Sequence, residues 1–434
     1  MILLPRCLYN LIINIFMESK RNVFLWALYD FANSIISIVF FLYFSQWLVI
    51  DQGVKDIYFN LTFTVSAILL LFTAPLFGSM LDKYYRRITG LRYATLLTFI
   101  FYGACALFAV YGKAIPALIF FVLGIYVYLL SFTFYTPLLN DISKNERRGF
   151  VSGIGITANY LGQFVGLLLV LPFANGTFNI FGGDARAETL LPSVMVFFVL
   201  ALPMLLFFKE PHKTGDRISF KRKIKNVFIE TRALLSVSSV SFFLLAYFLF
   251  NDAVLTAANN FPIFLEQVWG VSDTIKTYIL LGVLITSAVG GITSGLVADR
   301  FGHKKILTYI LIGWIFLLPI IGLLNNFTLF IISTTLMGFW FGATWTVSRA
   351  VMSYVAPRKN YNLAFSYFGI AERASSLLGP VVWGIVVSGL VSFGAVRYRI
   401  AAIVVTVFVI LGVIALRKVK SGESRPIQIQ QSPA

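Results

Sequence analysis

Residues 78–87 read "GSMLDKYYRR" and residues 295–305 read "GLVADRFGHKK". In each, a glycine stands four positions before an aspartate: Gly78 before Asp82, and Gly295 before Asp299. Basic residues follow, Lys83, Arg86 and Arg87 in the first, Arg300, Lys304 and Lys305 in the second. Asp82 and Asp299 are separated by half of the 434-residue chain. One such loop alone is only a basic connection, but two at equivalent places signal homologous halves. The glycine lets its helix pack closely on a neighbour. The aspartate ends that helix, where it can pair with arginines or face the positive N-terminal end of another helix. Such a contact closes one side of a two-part bundle in one conformation and breaks in the other. Gly78, Asp82, Arg86, Gly295, Asp299 and Arg300 are therefore the candidate gate residues.

The surrounding composition says what kind of bundle this is. The chain is 59% hydrophobic and 12% charged, against ~25% charged for a soluble domain. With a mean hydropathy of +0.85, no water-soluble packing hides so much apolar surface. Windows of about 20 apolar residues predict twelve spans: 23–50, 57–80, 93–112, 114–136, 150–172, 190–208, 237–265, 274–298, 305–324, 327–352, 363–390 and 397–417. The longest polar interruption, 209–236, divides them six and six. The expected fold class is an all-α membrane protein of twelve transmembrane helices in two pseudo-symmetric six-helix bundles, residues 23–208 and 237–417. A short N-terminus (1–22), a basic linker (209–236) and a tail (418–434) complete it. In the linker Phe220, Ile224, Val227 and Phe228 share a helical face among basic residues, the pattern of an interfacial helix.

Charge orients the bundle. Of 35 Lys and Arg, 27 fall at the termini, in alternate loops and in the 209–236 segment, 6 in the opposite loops, and 2 (Arg349 and Arg373) inside spans. By the positive-inside rule both termini and the linker are cytoplasmic. The net charge of +17 is this asymmetry, not a nucleic-acid footprint, and no nucleic-acid partner is expected. Compact loops and short termini point to a bacterial inner membrane; the lipid bilayer is the expected surroundings and a monomer the expected state. Residues 1–16 lack a cleavage site, and Met17, which opens "MESKRN", is the expected translation start. Cys7 and Cys105 lie far apart, and His212 and His303 both lie in hydrophilic loops. No disulfide, metal or cofactor is expected.

Polar residues inside the spans are the candidate pathway. In "FLWALYDFANSIISIVFFLYF" (24–44), Asp30 lies roughly 10 Å inside the hydrocarbon at ~1.5 Å per residue. Trp26, Asp30, Asn33 and Ser37 share one helical face. The equivalent stripe in span 7 is Asp252, Thr256 and Asn259, with Asn251 beside it. Two acidic stripes on equivalent helices suit alternating access with cation coupling. Intramembrane charges are costly and mark function by default. A structural hydrogen-bonding role within each half is the alternative. Arg349 continues a stripe with Phe341 and Trp345. Glu372 and Arg373 lie deep in span 11 and, being adjacent, point about 100° apart toward different helices. Arg373 with an aspartate could hold the two ends of a zwitterion.

The paired loops, twelve spans and basic linker resemble the major facilitator superfamily of secondary transporters. "WALYDFANS", "FYTPLLNDISKNERRGFVSGIGITANYLG", "FLLAYFLFNDAVLTA", "SRAVMSYVAP" and "RASSLLGP" are similar to its Atg22-like (UMF1) branch, whose fungal members are vacuolar amino-acid effluxers. Trp345 departs from the branch, which has a glutamine shortly before the Ser348-Arg349 pair. The resemblance implies transport of a small organic solute, an amino acid in first place, driven by a gradient of H+ or another ion. A sugar, peptide or drug-like load is the alternative, as is a non-transporting receptor or scaffold. No G-x-x-x-x-G-K-[ST] motif is present to drive transport by ATP. An enzyme would need paired acids or a His/Cys cluster at a water interface, so no enzymatic activity is expected.

Overall fold

The computed structural model describes residues 6–81, 86–143, 148–210, 229, 231–357 and 361–420. Asp82, Lys83 and the amphipathic stretch of the 209–236 linker lie outside them. The described residues form helices and no strands. Twelve helices are long and apolar enough to cross a membrane: α1 (Lys20–Asp51), α2 (Asp56–Ala74), α3 (Arg87–Val110), α4 (Ala114–Leu138), α5 (Ile154–Ala174), α6 (Ala185–Phe207), α7 (Ser238–Trp269), α8 (Asp273–Phe301), α9 (His303–Leu323), α10 (Phe327–Val355), α11 (Tyr367–Gly389) and α12 (Val396–Arg417). Local chemistry sets several ends. Asn326 caps α10 by accepting from the Leu329 N–H at 3.0 Å, which satisfies one of the orphan donors of the first turn. Gly270 ends α7 in the left-handed region at φ 63°, a conformation a β-carbon disfavours.

Packing follows one scheme twice. α1 packs on α5 and α6, α2 on α4, α3 on α4 and α6; likewise α7 packs on α11 and α12, α8 on α10, α9 on α10 and α12. Across the halves, α2 meets α11 and α5 meets α8, contacts that the same two-fold operation interchanges. Side chains on the outer faces stay apolar, with Ile292 and Leu296 about two-thirds exposed, as hydrocarbon contact requires.

Two features position the site. Gly162 and Gly166 let α5 lie against the backbone of α1: a β-carbon on either would come within 3.0 Å of the Phe31 or Ile35 α-carbon respectively. That crossing brings Asn159 of α5 to Asp30 of α1. The second feature lies in α11, expected as one span over 363–390 with a kink at Gly379-Pro380. It is two half-helices, Tyr361–Ala374 and Gly379–Gly389, with 375–378 non-helical between them. Pro380 has no N–H for the helical ladder, and its ring clashes with the carbonyl four residues back. The interruption falls there for that reason.

Candidate functional site

Around Asp30 the structure assembles a polar chain. Its Oδ1 accepts from Asn159 Nδ2 at 3.3 Å, and Asn159 Oδ1 accepts from Gln163 Nε2 at 2.7 Å. Trp26, one turn earlier, stacks on Tyr135 with ring centroids 5.0 Å apart and planes 4° from parallel. Gly155 of α5 is the floor beneath this pair: a β-carbon there would meet the Trp26 ring at 2.5 Å and stand 3.6 Å from Asp30 Oδ2. Asn33 is 1% exposed, and neither of its side-chain polar atoms has a partner. Buried amides are ordinarily satisfied, so Asn33 stands out on the α1 face it shares with Asp30.

The equivalent groups of the second half are bonded differently. Asn251 Nδ2 donates to Ser375 Oγ and, at 3.3 Å, to the Glu372 carbonyl, while its Oδ1 accepts from Trp345 Nε1 at 3.1 Å. One amide thereby ties α7 to α10 and to the break in α11. Trp345 supplies an N–H donor, as a glutamine would. Asp252 and Thr256 are fully buried. Asp252 Oδ2 accepts from the backbone N–H groups of Leu378 and Gly379, at 3.1 and 2.8 Å, at the start of the second half-helix of α11. An anion at a helix N-terminus is stabilised by the unsatisfied N–H groups and the dipole.

The adjacent charges of α11 diverge, as neighbouring helical positions must. Glu372 lies 3.8 Å from Arg349 of α10. Arg373 instead reaches the other half, donating to Thr136 Oγ1 at 3.1 Å and lying 5.0 Å over the Phe132 ring. Among the described residues Arg373 has no ion-pair partner.

The two ends of the bundle differ. At the end away from the 209–236 linker, Arg186 of α6 pairs with Asp51 of α1 at 2.7 Å, with Asp273 of α8 at 2.9 Å, and with Glu266 of α7. Lys276, which the charge pattern places among the loop basics, is fully buried. It is bonded to Gln46 of α1 and Glu266, and to Asp273 at 2.8 Å. Two carboxylates and an amide supply the counter-charge and acceptors that let an ammonium leave water. Further bonds join the halves here: Asn60 and Asn260 exchange amide hydrogen bonds at 2.9 and 2.8 Å, Tyr43 meets Thr277 at 3.1 Å, and Tyr398 donates to Asp56 at 3.0 Å. At the opposite end Asp299 is 73% exposed and, among the described residues, meets only His303 of its own half, at 2.9 Å. Gly295 lies beside Thr346 of α10, and Arg300 over the Phe301 ring. Gly78 is in the last turn of the helix Asp56–Leu81 and Arg86 precedes α3.

Sequence reasoning singled out the charged stripes and missed their partners. Asn159 and Gln163 were legible as polar residues inside span 5. Arg186, Asp51 and Lys276 resemble ordinary loop-end charges until the helices are packed. Among the described residues no three His, Cys, Asp or Glu side chains converge as a metal set.

The sequence pattern that defines the Major Facilitator Superfamily matches residues 10–167 and 243–434. A multi-drug resistance efflux pump PmrA homolog of Lactococcus lactis is 23% identical over 91% of this chain and 94% of its own length. Autophagy-related protein 22 of Vanderwaltozyma polyspora is 24% identical over 45% of this chain and 39% of its own. Among solved structures, a bacterial homolog of the human lysosomal transporter Spinster, inward-facing and unoccupied, superposes with a TM-score of 0.70. It is 15% identical, over 93% of this chain and 97% of that one.

Proposed function

The chain belongs to the Major Facilitator Superfamily, and from that premise we propose that it moves a small organic solute by alternating access, drawing on a gradient of H+ or another ion. It is a multi-pass integral membrane protein with an Atg22-like relationship. The observation that carries the reading is a set of intramembrane charges from both halves, with Arg373 of the second half reaching Thr136 of the first at 3.1 Å. Asp30 comes from α1, Arg349 from α10, and Glu372 and Arg373 from α11. A charge at membrane depth costs about 2.5–3.5 kcal/mol on insertion scales, and these are not spent on mutual neutralisation alone. Arg373, without an ion-pair partner among the described residues, is the seat for a carboxylate, and Asp30 is the seat for an ammonium. Trp26 and Asn33 share the α1 face with Asp30. The preferred load is therefore zwitterionic, with amino-acid export its leading form. The distribution of Lys and Arg supports cytoplasmic termini and, with bacterial relatives, a bacterial inner membrane. The end held by Arg186 and Lys276 is then the outer one.

The stacked Trp26–Tyr135 pair and the likeness to an efflux pump favour a second reading, an aromatic or drug-like load. Counterflow in proteoliposomes preloaded with single amino acids separates the two. Exchange of one amino acid by wild type, impaired by both Asp30→Asn and Arg373→Lys, supports the zwitterion reading. Unimpaired exchange by both variants refutes it. Exchange only of drug-like cations selects the second, and no exchange of any solute by folded protein leaves a non-transporting receptor of the same fold.

A further inference from the structure

The connection between α5 and α6 contains the irregular segment 175–183, "NGTFNIFGG", which carries no charged residue. A connection that runs through water leaves many of its backbone donors to the solvent. Here eight of the nine N–H groups from Asn175 to Gly183 are bonded within the protein. Asn175 donates to the Leu171 carbonyl and Gly176 to that of Phe173, while Thr177 and Phe178 both donate to that of Pro172, at 2.9 and 3.2 Å. Gly182 donates to Asn179 Oδ1 at 2.8 Å. The N–H groups of Ile180, Phe181 and Gly183 converge on one carboxylate, that of Glu188 in α6, at 2.8–3.1 Å. Glu188 itself is fully buried. The apolar side chains of the segment point the other way: Ile180 is 65% exposed, Phe178 51% and Phe181 44%.

We propose that segment 175–183 is a lipid-seated hook, its backbone donors sealed and its apolar side chains placed in the headgroup–acyl boundary of the leaflet at the Arg186 end. Irregular backbone approaches the hydrocarbon only where protein satisfies its polar groups, and an aqueous loop has no need of such sealing. Once it is sealed, moving three large apolar side chains out of water is favourable. The path of the chain sets the depth. After Ala174 it turns back beside the last turn of α5, where the two bonds to Pro172 hold it and the Phe178 ring meets that of Phe173, centroids 5.5 Å apart. On its other side Gly183 lies against the end of α3, where a β-carbon would come 2.9 Å from the Val110 carbonyl oxygen. Leu107 and Tyr111, exposed at that end, extend the lipid-facing surface of α3 to the hook, and tyrosine favours this boundary. That continuity with the bilayer-facing surface makes lipid, not a protein partner, the occupant. The polar groups of the connection face inward instead. Asn175 accepts from Thr274 of the opposite half at 2.9 Å, and Asp184 accepts from Trp47 and Gln52 of α1 at 3.2 and 3.1 Å. The hook leads directly into α6 and so fixes the depth at which Arg186 meets its carboxylates. This seat does not depend on what the protein carries.

Spin labels on the full-length protein in proteoliposomes test the seat, with Cys7 replaced by serine and the buried Cys105 kept. Labels at Ile180→Cys and Phe181→Cys are compared with Ile285→Cys, exposed midway along α8, and Lys113→Cys, in an exposed turn. Molecular oxygen, which concentrates in hydrocarbon, and a nickel chelate, which stays in water, are the two relaxing agents. At Ile180 and Phe181 oxygen is expected to relax the label more than nickel does, as at Ile285, with the reverse at Lys113. Nickel access at Ile180 and Phe181 equal to that at Lys113 overturns the seat. Shielding from both agents, which a second copy of the chain would produce, overturns it as well. Glu188→Gln tests the sealing separately. Its amide keeps one acceptor oxygen, so folding, checked by melting, is retained. Amide exchange across 180–183 should rise about tenfold, as expected for losing a hydrogen bond to a charged acceptor, with the rest of α6 unchanged. Exchange unmoved across 180–183 overturns the role given to Glu188.

Discussion

Replacing Arg186 by glutamine tests whether the ionic network at the end away from the linker holds the two halves together. Its guanidinium is 12% exposed and is bonded to carboxylates that are 10–28% exposed. Two of those, Glu266 and Asp273, belong to the opposite half. Breaking a fully buried pair by removing one partner costs about 3–5 kcal/mol, and an exposed pair is worth about 0–1. Partial burial, with Lys276 still holding Glu266 and Asp273, places this loss at about 2 kcal/mol. At about 1.4 kcal/mol per factor of ten, the equilibrium between the closed and open forms of that end shifts roughly 30-fold toward open. A closed-to-open ratio of about 100:1 would become about 3:1. Spin labels on cysteines at Lys113 and Ser392, exposed positions in connecting turns of opposite halves, read that change. Cys7 is replaced by serine, and Cys105, fully buried, stays. Pulsed-dipolar measurements should give one short distance in wild type and a second, longer population in Arg186→Gln, with Arg186→Lys between them. An unchanged distance distribution in folded Arg186→Gln would refute the reasoning, because the network would then contribute nothing to closure.

Other consequences are as specific. Gly162→Ala puts a methyl group 3.0 Å from the Phe31 α-carbon, forcing α5 off α1 at a cost of about 1–3 kcal/mol; melting temperature should fall, and an unchanged value would contradict the close crossing. Trp345→Phe leaves Asn251 Oδ1 without its donor and should cost about 1–3 kcal/mol, whereas Trp345→Gln should restore most of it in the same melting assay. Arg373→Lys keeps the charge but loses the planar fork, so KM for exchange should rise about tenfold, or ~1.4 kcal/mol, with thermal stability little changed. Equal KM values would remove Arg373 from solute binding.

The sequence by itself determined the twelve spans, the division into halves and the intramembrane charges. Each of these depends on local hydropathy or on spacing along one helix, which are readable without knowing what packs on what. The same holds for Trp26, Asp30 and Asn33 sharing a face, and for the disturbance at Gly379-Pro380. Tertiary structure decided what those charges do. Asp30 and Asp252 lie in the first helix of each half, yet one meets the amide of Asn159 and the other caps a half-helix 126 residues away. Arg186 finds its three carboxylates 135, 80 and 87 positions distant, and only their convergence turns loop-end charges into a clasp. Lys276 looks like a loop cation by its position, but it is buried because acceptors from α1, α7 and α8 converge on it. Hydropathy is a property of a segment, whereas the worth of a charge is set by the dielectric and the partners that distant segments bring to it.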